Sequence, residues 1–148
     1  SPPLARVVDA WHEADVVGPR AAYLAERLEP DASRRAAFAA ALAGDRRKLA
    51  HAMFADLFAS PAEHVMVFFA DLYGERAIYN RPGVVHPDNW RLRVPRDFAG
   101  VYEERRARGE ALCLASALAM ALRARGAETV RAHADLLAAL EARAAVRV

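Results

Sequence analysis

At 148 residues the chain is long enough to bury a core as one domain, and an apolar share of 55% with 27% charged residues excludes intrinsic disorder. A net charge of +2 with acids and bases interspersed gives no nucleic-acid footprint, and Lys48 is the only lysine among arginines, which reads as base-composition bias. One cysteine, Cys113, allows no internal disulfide and fits a cytoplasmic protein, while no apolar run reaches bilayer length, so no membrane contact is expected.

The expected fold is mainly α with one short buried strand, arranged as a single unit over 1–148. Helices fill 3–60, a strand and ordered loop occupy 64–95, and helices return over 96–145. Leu4, Val7, Val8 and Trp11 form the stripe of the first helix, which Gly18-Pro19 ends, with Pro19 opening the second. Tyr23, Leu24 and Leu28 mark the second helix's buried face. Asp31 is the expected cap of a third helix, with Ala37, Phe38, Ala41 and Leu42 inward and Gly44 closing it. Asp45 caps a fourth, on which Leu49, Met53, Phe54, Leu57 and Phe58 recur at helical spacing, and Ser60-Pro61 stops it.

The run Val65-Met66-Val67-Phe68-Phe69 does not alternate, so both its faces should be covered. Its length and β-branched content favour a parallel, helix-flanked strand over a short buried helix. After Pro95, Phe98, Val101 and Tyr102 mark a helix that Gly109 interrupts. The stretch Ala111–Leu122 reads as a continuous buried helix, and Gly126 separates a last one with Val130, Leu137 and Leu140 on a stripe.

Between strand and helix lies the most specific wording of the chain: Asp71-Leu72-Tyr73-Gly74, then Asn80-Arg81-Pro82-Gly83-Val84, then Asn89-Trp90-Arg91-Leu92-Arg93. These three blocks, in order within residues 60–95, resemble the last strand and following loop of the 4-α-glucanotransferases (amylomaltase or disproportionating enzyme family). Val84 departs from that pattern, replacing a threonine and removing a hydroxyl beside the loop. The resemblance implies the C-terminal β/α end of a (β/α)₈ barrel, here without the rest of the barrel. Such barrels carry their sites on the loops that leave the C-terminal strand ends. It further implies a retaining transfer of α-1,4-glucan segments between maltooligosaccharides or glycogen, with no cofactor.

Within that implied function Asn80, Pro82, Gly83 and Trp90 are the substrate-binding candidates. Pro82 and Gly83 would make a tight turn, and Asn80 would face a sugar hydroxyl or else satisfy loop amides. Tyr79 or Trp90 could lie against a pyranose face, although anchoring in the core is the favoured role for Trp90. Retaining transfer needs two carboxylates about 5 Å apart. In the family these precede the final strand, and nothing here matches them. Asp15, Asp56 and Asp71 stand alone, with Asp71 expected to fix the strand-end turn. The chain is therefore expected to be a C-terminal portion of a longer enzyme, inactive by itself.

Other chemistry has weaker footing. His12, His51, His64, His86 and His133 are scattered without metal-ligand spacing. Cys113, set mid-helix without a basic neighbour, reads as a small core residue. The alternative function is a non-catalytic helical interaction or oligomerisation module, in which an unpaired strand at 65–69 would form a homodimer with its copy.

Overall fold

A computed structural model describes residues 2–145. Among these residues the fold is all-α, with nine helices and no strand. They are α1 (Leu4–Glu13), α2 (Val17–Leu28), α3 (Arg35–Ala43), α4 (Arg46–Ala59), α5 (Phe69–Leu72), α6 (Phe98–Ala107), α7 (Leu114–Ala124), α8 (Ala127–Ala132) and α9 (Ala134–Ala145). The core lies where α2, α4 and α7 meet, with α1, α3 and α9 packed around them. Phe54, Leu42 and Leu49 are its largest fully buried side chains.

The expected capping chemistry is present. Asp45 accepts hydrogen bonds from the Arg47 and Lys48 N–H groups at 2.9 and 3.1 Å, satisfying two of the first-turn donors of α4. Asp31 accepts from the Ser33 N–H, but over a 3₁₀ turn, Ala32–Arg34, that leads into α3. Gly44 ends α3 as expected.

Several expectations are corrected. The buried strand does not form: Val65–Phe68 makes no ladder among the described residues, and Phe69 already begins the turn of α5. A strand is held by a neighbour's N–H and C=O groups, and among the described residues none pairs with the backbone of 65–67. Nor is the run covered on both faces, for Met66 is 94% exposed. Phe68 packs instead on the rings of Phe69 and Tyr79.

The first helix stops at Glu13, and Asp15 turns the chain at φ 53°, so α2 opens at Val17 with Pro19 in its first turn. Tyr23 is exposed, with the Arg27 guanidinium over its ring at 5.7 Å. Leu57 and Phe98 are exposed as well. The apolar stretch 111–122 is not one helix, because Ala111, Leu112 and Cys113 lie outside α7, which starts at Leu114. The last helix is broken at His133 into α8 and α9.

Candidate functional site

The loop that carries the three sequence blocks is entered through a fixed turn. Tyr73 is buried, and its hydroxyl donates to the Phe98 carbonyl at 2.5 Å. Arg105 on α6 donates to the Tyr73 carbonyl at 3.1 Å and pairs with Glu75 at 2.7 Å. Gly74 lies at φ 67°, so close to the Glu110 carbonyl that a Cβ would stand 2.1 Å from its oxygen. Only glycine fits both the dihedral and the space.

Beyond this turn the loop is organised by Asn89. Its Oδ1 accepts from the Arg81 N–H at 2.9 Å, and its Nδ2 donates to the Val84 carbonyl at 3.0 Å. One carboxamide thus bridges the Pro82-Gly83 turn from both sides, and Gly83 completes that turn at φ 80° with open space around it. The Trp90 N–H donates to the Tyr79 carbonyl at 2.6 Å, closing the neck of the loop. Trp90 itself sits at φ 63°, a left-handed conformation uncommon for a large residue.

The aromatic rings form a row. Tyr79 lies between Phe68, at 4.7 Å between centroids, and Trp90, at 5.3 Å and edge-on. Trp90 at the end of this row is 61% exposed, so its ring is not anchored in the core. Asn80, Pro82, Gly83 and Trp90 are thereby brought onto one ordered loop. Asn80 is half-buried, and among the described residues no hydrogen bond engages its carboxamide. The organising role of Asn89 was not read from the sequence. Its signal lay in an asparagine spaced to reach across a Pro-Gly turn.

The acids are committed elsewhere. Asp71 Oδ1 accepts from the Leu4 N–H at 2.7 Å, docking the first turn of α1 onto the loop entry. The expected role of fixing a strand-end turn becomes that of capping a remote helix. Asp9 is bridged by Arg46, at 2.7 Å, and by Arg76. Burial would raise the Asp9 carboxyl, but hydrogen bonds from Arg76 and Arg46 and their charges hold it below its ordinary value. Asp9 and Asp71 border a cleft of about 330 Å³ between α1, α4 and the 109–112 link. With one acid ion-paired twice and the other receiving a helix amide, neither is arranged to exchange a proton with a substrate.

A second polar cluster was not foreseen. His51 Nε2 lies 2.8 Å from the Cys113 nitrogen, and Nδ1 lies 2.8 Å from the Arg47 carbonyl. A backbone N–H can only donate, so Nε2 is the acceptor and Nδ1 carries the proton, the neutral tautomer. Burial pushes His51 below its ordinary value, in keeping with that state. Arg106 on α6 stands beside Cys113, so the cysteine has a basic neighbour after all and lies at a helix start rather than within a helix. Among the described residues no group of three His, Cys, Asp or Glu side chains could hold a metal ion. None of the described helices is long and apolar enough to cross a membrane. No family model, no curated protein and no solved structure matches the chain.

Proposed function

We propose that the chain supplies the substrate-side loop of a 4-α-glucanotransferase, acting on α-1,4-glucans or maltooligosaccharides, with the two catalytic carboxylates contributed from outside residues 1–148. The observation that carries this reading is the exposed ring of Trp90 on a loop braced by Asn89, alongside the unengaged carboxamide of Asn80. An exposed indole offers an apolar face to the C–H groups of a pyranose, and a carboxamide offers both a donor and an acceptor to its hydroxyls. Bracing matters because a loop already ordered loses less entropy when sugar binds. Asp71-Leu72-Tyr73-Gly74 contributes by setting the loop's exit from α5, with the Gly74 turn pressed against Glu110.

The test is titration of the chain with a linear maltooligosaccharide, followed by calorimetry and tryptophan emission. Saturable binding is expected, abolished in Trp90→Ala, weakened in Asn80→Ala, and absent with a β-1,4-linked oligosaccharide. Binding that survives Trp90→Ala, or that ignores the linkage, would remove the loop from glucan recognition.

A second reading, a non-catalytic helical interaction module, draws on a different observation. The extended segment 65–67 makes no backbone hydrogen bond among the described residues, and Met66, Val85 and Val94 around the loop are exposed. Unpaired backbone beside apolar surface invites a further polypeptide, such as a second copy.

A further inference from the structure

Cys113 is the N-cap of α7, at φ −87° and ψ 104°, and only 7% of it is exposed. It borders a cleft of about 670 Å³ formed by α3, α4, α6, the start of α7 and the end of α9. Arg47, Lys48 and His51 reach this cleft from α4, Arg106 from α6, and Ser116 from the first turn of α7. The acid on this side, Asp45, caps α4 and pairs with Lys48 at 3.9 Å, which leaves Arg47 as the cation of α4 without a carboxylate partner among the described residues.

Arg106 is the telling residue. It is the one buried charged side chain among the described residues, at 8% exposure. Its Nε donates to Glu103 at 2.9 Å, while its Nη2 has no hydrogen-bond partner. A buried guanidinium nitrogen without an acceptor is costly, and an anion at its side removes that cost. Burial pushes the Cys113 thiol up, but the Ser116 O–H and N–H and the Arg106 guanidinium outweigh it and hold the thiol below its ordinary value. The positive end of the α7 dipole acts in the same direction.

The remaining charged or titratable neighbours do not oppose this. Glu103 is committed to Arg106 and Arg143. The Tyr102 hydroxyl is occupied by the Leu112 carbonyl and the Leu114 N–H, and burial keeps it protonated. His51 is neutral and holds the Cys113 N–H.

We propose that Cys113 is a nucleophilic thiol that captures a small anionic disulfide of the glutathione type in this cleft and is converted to a mixed disulfide. The Cys113 thiolate attacks one sulfur of R–S–S–R. A new S–S bond forms as the old one breaks, and RS⁻ leaves with the electron pair. Cys113 is thereby oxidised and one half of the small disulfide is reduced. Arg47 favours an anionic reagent in the cleft, and Arg106 favours the attacking thiolate beside it.

Because the chain has one cysteine, released thiolate counts this reaction alone. The folded chain is mixed with an anionic aromatic disulfide across pH 5 to 9, and the product of oxidised glutathione is weighed by mass spectrometry. The expected result is one equivalent released without denaturant, with a rate midpoint below about pH 8.5, the free-cysteine value. Oxidised glutathione is expected to add one glutathionyl group. Cys113→Ser is expected to release nothing. Ser116→Ala, with helicity unchanged by circular dichroism, is expected to move the midpoint up and slow the reaction at pH 7 about threefold. A cationic disulfide is expected to react more slowly than the anionic one. Release only after denaturant, or a midpoint at the free-cysteine value that Ser116→Ala leaves in place, would overturn the nucleophile. Equal rates with anionic and cationic disulfides would overturn the anionic substrate class.

Discussion

At the residue scale, His51 and Asn89 each replace missing backbone partners with a single side chain. His51 joins the Arg47 carbonyl to the Cys113 N–H only while neutral. Its folded value lies below the ordinary 6.5, so between the two values the unfolded chain binds a proton that the folded chain does not. Stability from this residue is therefore complete above about pH 6.5 and lost as pH falls below it. Urea midpoints measured from pH 7 downward should fall, and the slope should flatten in His51→Gln. An equal slope in both would place the acid sensitivity elsewhere. Asn89→Ala removes two hydrogen bonds of about 1 kcal/mol each. Because the loop they brace carries the cleavable bonds Arg91–Leu92 and Arg93–Val94, trypsin should cut there several-fold faster in the variant, with little change in overall helicity.

At the element scale, the entry to the loop is the least tolerant point. Gly74→Ala would place a methyl group against the Glu110 carbonyl at a positive φ, combining overlap with backbone strain. A loss of about 3 kcal/mol or more is expected, read as a lowered melting temperature, against a near-neutral Gly18→Ala, where nothing lies within 4 Å. Helix α4 depends on its cap in the ordinary way. Asp45→Ala should cost about 1 kcal/mol, measured by denaturant unfolding, through the loss of two N–H partners.

At the scale of the whole molecule, one measurement bears on catalysis and another on self-association. Asp9 is ion-paired to Arg46 and Arg76 and Asp71 caps α1, so the chain alone is expected to release no glucose from maltotriose above a heat-treated control. Release above that control would mean that a catalytic pair is present after all. If the unpaired backbone of 65–67 pairs with a copy, sedimentation should show a concentration-dependent dimer that Phe68→Lys weakens. A monomer at all micromolar concentrations would show that the segment stands without a partner copy.

Helices α1 to α4 and several helix stops were legible in the sequence, because caps and apolar period are local: Asp45, Gly44 and the stripe of Leu49 and Phe54 act within a few residues. The three loop blocks were legible as one segment, though not the way Asn89 crosses the Pro82-Gly83 turn. Two matters were decided only by tertiary structure. Val65–Phe68 has the composition of a strand, but a strand exists only with a neighbour's ladder, which these residues lack. Ala111–Leu122 has the composition of one helix, but its first three residues are drawn out by distant partners. Ala111 N–H is taken by the Arg105 carbonyl, Leu112 N–H by the Leu72 carbonyl and Cys113 N–H by His51. Each of these amides finds its acceptor outside the helix, so α7 begins after Cys113 and leaves that thiol at a helix start beside Arg106, where no local pattern would have put it.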